Sequence, residues 1–126
     1  MNYKARRIGL LKTKRINQTL GTELEDADLW VSKAAHRHIA LDHPNDYLTV
    51  LPNLSRVIED PAYVGQKPGQ ADNFYLFRKI HDKDRAVLIA IGIRRNRYGT
   101  YNLRSAYAIS DANIQRYRMA GHLRIL

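Results

Sequence analysis

The chain has no cysteine. Disulfides, zinc–thiolate centres and iron–sulfur clusters are thereby excluded, and the lack of thiols suits a cytoplasmic protein. Long apolar runs are missing too. The longest, Ala86–Ile93, is far shorter than the roughly 20 residues that cross a bilayer, so no membrane partner is expected. The basic N-terminus contains no apolar core of signal-peptide length. Loop 62–73 holds Gly65, Pro68 and Gly69 but not the spacing of a P-loop or a dinucleotide fingerprint, and no cofactor is assigned to it. Acidic residues are scarce: 12 against 21 lysines and arginines, for a formal net charge of +9. That excess points to a polyanionic partner or substrate, with nucleic acid ahead of membrane. The 126 residues suit one domain with a single core.

Met1–Thr19 carries Lys4, Arg6, Arg7, Lys12, Lys14 and Arg15 and no acid. Two readings stand: a disordered phosphate-binding arm, or a short strand or helix built on Ile8, Leu10, Leu11 and Ile16. The chain is accordingly divided into a basic N-terminal arm, 1–22, and a single domain, 23–126. Thr22-Glu23-Leu24-Glu25 has capping-box spacing, which predicts a helix over 24–41. Pro44-Asn45-Asp46 is a break. Tyr47, Leu48, Leu51, Leu54, Val57 and Ile58 then recur at helical spacing as core positions, with Pro52 dividing the segment and Asp60-Pro61 closing it.

The second half changes period. Phe74–Ile80 alternates as a strand, His81–Asp84 is a polar turn, and Arg85–Arg94 is apolar on both faces, as in a central strand covered on both sides. Residues 95–99 make a hairpin connection to a strand over Thr100–Ile109. Ser110 caps a short helix that Gly121 ends. The expected fold class is α+β: N-terminal helices packed on a C-terminal antiparallel sheet of about four strands.

Three of the five histidines lie in Ala35–Pro44. On a helical wheel starting at Trp30, residues Ala27, Val31, Ala34, Ala35 and Leu41 fall within a stripe of roughly 140°, with His38 in its middle and His36 opposite. His38 is therefore expected to point inward. Pro44 disfavours a helical His43, so the helix should stop near Asp42 or His43. In the last strand Leu103, Ser105, Tyr107 and Ile109 share one face of an ideal strand, with Asn102 and Arg104 on the other. A histidine descending from the helix would meet a hydroxyl and a phenol there. That grouping can run acid–base and phosphate chemistry, or can simply satisfy hydrogen bonds within a core. A metal site on His36, His38, His43 and His81 lacks a compact ligand motif, and Ser105 is not on a nucleophile elbow.

The order of these signals resembles a known family. A helix ending His38-Ile39…His43-Pro44 precedes a segment closing on Asp60-Pro61. An Asn73-Phe74-Tyr75 strand, an apolar strand and Leu103-Arg104-Ser105-Ala106-Tyr107-Ala108-Ile109 follow. The pattern is similar to phage-type members of the barnase–EndoU–colicin–RelE nuclease superfamily, over roughly residues 28–122. The resemblance implies a small α+β domain acting as a metal-independent endoribonuclease, in a toxin or a phage-encoded effector. It implies transesterification by the RNA's own 2′-hydroxyl, leaving a 2′,3′-cyclic phosphate. Carried over by position, His38 and His43 would move protons and Ser105 and Tyr107 would orient the phosphate. Arg104, Lys79 and Arg78 are candidates to bind the substrate. RNA is the implied substrate and an acidic antitoxin or immunity protein an implied partner. The alternative class is a non-catalytic nucleic-acid-binding module or interaction domain.

Overall fold

The computed structural model describes residues 3–66, 69, 71–79 and 85–126. Ile80 and the turn expected over His81–Asp84 lie outside the described residues. The chain runs β1 (Arg6–Leu11), α1 (Lys14–Leu20), β2 (Ala27–Val31), α2 (Lys33–Asp42) and α3 (Tyr47–Val50). A 3-10 turn (Leu51–Asn53) leads into α4 (Leu54–Glu59), β3 (Tyr63–Gly65), β4 (Asn73–Lys79), β5 (Arg85–Gly92), β6 (Tyr101–Ser110), α5 (Asp111–Met119) and β7 (Leu123–Ile125). The strands form one sheet of seven, in the order β1-β2-β6-β5-β4-β3-β7.

The α+β class stands, but the expected sheet was too small and too uniform. Three short strands, β1, β3 and β7, extend it, and β2 joins it as a fourth addition. The pairs are antiparallel except β2 with β6, which run parallel over Leu29↔Tyr101 and Trp30↔Asn102. β3 lies within the segment read as a loop.

The helix expected over 24–41 is two elements. Residues 27–31 are strand β2, where Leu29 and Val31 alternate into the core and Trp30 points away. Helix α2 starts only after Ser32, whose hydroxyl accepts the Ala35 N–H at 3.0 Å as an N-cap. No helix follows Thr22: its hydroxyl donates to Asn17 Oδ1 instead. Of the two readings of the basic N-terminus, strand plus helix is the one adopted. Thr13, buried between β1 and α1, gives its backbone N–H and its hydroxyl to Asp26 Oδ1, each at 2.7 Å. These bonds, hydroxyl first, hold the Asp26 carboxyl below the usual carboxylate range.

Two apolar layers flank the sheet. On one face Ile39 of α2, Val50 of α3 and Leu54, Val57 and Ile58 of α4 pack on Phe74, Leu76, Val87, Ile89, Ile91 and Leu103. On the other face Ile114 of α5 packs with Tyr75, Phe77, Leu88 and Ile109. β5 is thus central and covered on both sides, as its double apolar pattern requires. Pro52 does divide the α3–α4 segment. Leu48, expected in the core, is 82% exposed, because Tyr47, Val50, Leu51, Leu54, Val57 and Ile58 share an inward stripe of roughly 120° on a helical wheel and Leu48 falls about 60° outside it.

Candidate nuclease site

Helix α2 buries His36, Ile39 and Ala40, and its C-cap is His43, whose N–H donates to the Ile39 carbonyl at 3.1 Å. These four residues follow the i, i+3, i+4, i+7 spacing of a single inward stripe. The inward face is therefore opposite to the one expected. Trp30, Val31 and Ala27 set the phase of the expected wheel, and they belong to a strand. His38 points outward: its ring is 52% exposed and its Nδ1 lies 2.8 Å from Asp42 Oδ2, one turn on. Leu41, placed on the inward stripe, is 55% exposed.

His36, expected on the polar face, is buried. Its Nδ1 lies 2.9 Å from the Lys4 carbonyl, which can only accept, so Nδ1 carries the hydrogen. In the neutral ring Nε2 then accepts from the Tyr47 hydroxyl at 2.6 Å. Tyr47 also stacks on the imidazole, with centroids 5.7 Å apart. Both nitrogens being committed, His36 ties the N-terminus to α2 and α3.

The break after α2 performs a different task. β2 pairs with β6 only at Tyr101 and Asn102, so from Leu103 on no described strand pairs with that edge of β6. The turn 43–46 covers it. Asp46 Oδ2 accepts the Ala108 N–H at 3.3 Å, and its Oδ1 accepts from Arg85 Nη2 at 2.7 Å. Beside it the His43 ring stacks on Tyr107, centroids 5.1 Å apart and planes at 26°.

A β-bulge decides which side chains of β6 accompany Tyr107. Ile91 pairs with Leu103 but Ala90 pairs with Ser105, leaving Arg104 as the extra residue. Directly paired residues share a sheet face. Leu103 therefore faces the helices α2–α4, with Ile91, while Ser105 and Tyr107 face the α5 side, with Ala90 and Leu88. The ideal-strand grouping of Leu103 with Ser105 is broken, and the helix that covers Leu103 does not cover Ser105. Arg104 swings to the α5 side as well. Its Nε would lie 2.9 Å from a Cβ at Gly92, so the missing side chain there lets the guanidinium lie close against β5. Arg104 shares a small surface recess with Asp72 and Arg94.

Tyr107, Ser105 and Arg104 thus share one sheet face along β6, with His43 stacked on Tyr107 at the strand's edge and the Arg104 guanidinium directed the other way, over Gly92 of β5. Lys79 points to the same side, since it pairs with Ala86, and its Nζ lies 3.4 Å from Asp111 Oδ1. Arg78 and His38 are not part of the group. Arg78 pairs with Val87 on the helix side, and its Nη1 donates to both the carbonyl and Oδ2 of Asp60 at 2.7 Å. Sequence reasoning missed Asp46 and Arg85, which no motif marks. Among the described residues no three His, Asp or Glu side chains stand together as a metal-ligand set. No described helix is long and apolar enough to cross a membrane.

The family model described as phage-Barnase-EndoU-ColicinE5/D-RelE like nuclease 3 matches residues 6–116. The chain belongs to this nuclease family. The match takes in every strand from β1 to β6 and all four helices before α5, and so covers the residues of the β6 stretch and of the turn beside its edge. It also includes residues 6–22 of the basic N-terminal stretch. No curated protein and no solved structure matches this nuclease.

Proposed function

We propose that this nuclease is an endoribonuclease that cuts RNA by attack of the 2′-hydroxyl on the adjacent phosphate, as a toxin or phage-encoded effector. The observation that carries the reading is the His43 imidazole stacked on Tyr107, next to the β6 face that also carries Ser105 and Arg104. The stack fixes the ring plane, and a positioned imidazole is the usual proton carrier of such chemistry. His43 takes the proton of the 2′-hydroxyl as the oxygen bonds to phosphorus. The P–O5′ bond breaks, the 5′ oxygen takes a proton from water, His43 gives the proton it holds back to solvent, and a 2′,3′-cyclic phosphate remains. Ser105 and Tyr107 orient the phosphate, and Arg104 or Lys79 offsets the charge developing on its oxygens. We assign His38 no proton in this scheme, because it faces away from β6. The same basic face would meet an acidic antitoxin or immunity protein by charge complementarity.

The test is incubation of the purified protein with total RNA in the presence of a chelator, followed by analysis of the ends. Cleavage with 2′,3′-cyclic phosphate and 5′-hydroxyl termini is expected. Ends carrying a 5′-phosphate would refute transesterification. Binding without any cleavage would make the chain a non-catalytic nucleic-acid module.

A further inference from the structure

A second surface lies farther back on β6. Trp30 of β2 and Asn102 of β6 are directly paired, and each stands between residues buried on the helix side, Leu29 and Val31 or Tyr101 and Leu103. Both therefore project to the opposite face, the one that carries Ser105 and Tyr107. With Tyr98, Asn96 and Thr100 of the β5–β6 connection they line a groove of about 470 Å³. Trp30 is 38% exposed and Tyr98 74% exposed, and no described ring stacks on Trp30.

The polar wall is ordered. Asn96 Oδ1 accepts the N–H of Tyr98 at 2.9 Å and of Thr100 at 3.2 Å, which fixes its amide orientation. Its Nδ2 then donates to Asn102 Oδ1 at 2.9 Å, leaving Asn102 Nδ2 as a donor with no described partner. The Arg97 guanidinium sits 4.9 Å from the Tyr98 ring centroid and has no carboxylate partner among the described residues. An open indole face, an exposed phenol, an oriented amide donor and a cation with no described carboxylate, whose Nη2 donates to the Tyr98 hydroxyl at 2.7 Å, are the components that hold an unstacked base and its phosphate.

We propose that this groove is a nucleobase subsite that takes one splayed base of single-stranded RNA. The proposal rests on the endoribonuclease reading above and names where the substrate lies beyond the cut. Asn102 and Tyr107 are five residues apart on β6, about 16 Å along a strand. The subsite thus holds a base a short way along the strand from the scissile phosphate, on the same sheet face. Trp30 supplies the stacking platform, Asn102 Nδ2 donates to an acceptor on the base edge, and Arg97 meets the backbone.

Trp30 is the only tryptophan in the chain, so its fluorescence reports on this groove alone. The probes are a short 2′-O-methyl RNA, which has no free 2′-hydroxyl to attack, and an abasic oligomer of equal length. Saturation with the 2′-O-methyl RNA should quench Trp30, and saturation with the abasic oligomer should not. Tyr98→Ala and Asn102→Ala should each weaken binding of the base-bearing oligomer, by about 5- to 100-fold for the aromatic, with little effect on the abasic one. Unchanged Trp30 emission in a protein that binds the oligomer and cleaves RNA would overturn the subsite and leave the nuclease reading standing. Equal weakening of both oligomers by Tyr98→Ala would also overturn it. Failure to bind either oligomer or to cleave RNA would overturn both.

Discussion

Two histidines on one face of α2, two turns apart, are used in opposite ways. His36 is sealed, with a carbonyl on one nitrogen and a phenol on the other. His43 stands at the helix end, half-buried, and meets its tyrosine through the ring face rather than through a nitrogen. A histidine whose two nitrogens are bonded inside the fold holds structure together. A histidine held by its ring face keeps its proton-carrying edge for other work. The lesson is that burial and partner type, not spacing in a motif, separate a structural imidazole from a chemical one.

The strongest test of that contrast is His43→Ala. Loss of a positioned proton carrier should lower the single-turnover cleavage rate by about 10²- to 10⁴-fold, with RNA affinity little changed. Cleavage at the parental rate by a folded variant would move the chemistry away from this end of α2.

His36→Ala should do the reverse. It leaves the Lys4 carbonyl and the Tyr47 hydroxyl without their partner and opens a small cavity, costing about 2–4 kcal/mol in urea unfolding. Cleavage per folded molecule should stay within a few-fold. A large loss of activity with unchanged stability would exchange the roles of the two residues.

The strand that brings Lys4 toward His36 is held in part by Thr13 and Asp26. The folded-state carboxyl of Asp26 titrates below its unfolded value, so its contribution to stability is present above the usual carboxylate range. It is lost as pH falls through the folded value. Asp26→Asn should therefore destabilise the protein near neutrality and flatten the acid side of a stability–pH profile. A parallel, unflattened profile would mean that the carboxylate does not carry the anchor. The smallest effect belongs to His38→Ala. Its pair with Asp42 is solvent-exposed at i, i+4, and removal should change stability by no more than about 0.5 kcal/mol and cleavage by less than a few-fold.

The inward stripe of α2 was present in the sequence as His36, Ile39, Ala40 and His43. It was hidden because Ala27, Trp30 and Val31 also fit a helical wheel. A five-residue strand with small and apolar residues is ambiguous between the two periods, and the error in the element boundary turned the helix over. The β5 pattern was unambiguous because every position from Ala86 to Gly92 is apolar, and a central strand has no solvent face to mark. β3 and β7, three residues each, are too short for alternation to register and exist because they pair with one another and β3 pairs with β4.

Composition and pattern alone determined the α+β class, the central strand, the break at Pro44, the His43 helix end and the likeness to a nuclease family. Each follows from local rules: proline sterics, alternation, charge count and short motifs. Only the tertiary structure decided which histidine meets β6. The unpaired edge of β6, the turn that covers it and the bulge at Arg104 arise from pairing between distant segments. A one-residue bulge reassigns faces without changing a letter of the pattern, which is why Leu103 and Ser105 part company while Arg104 joins Ser105 and Tyr107.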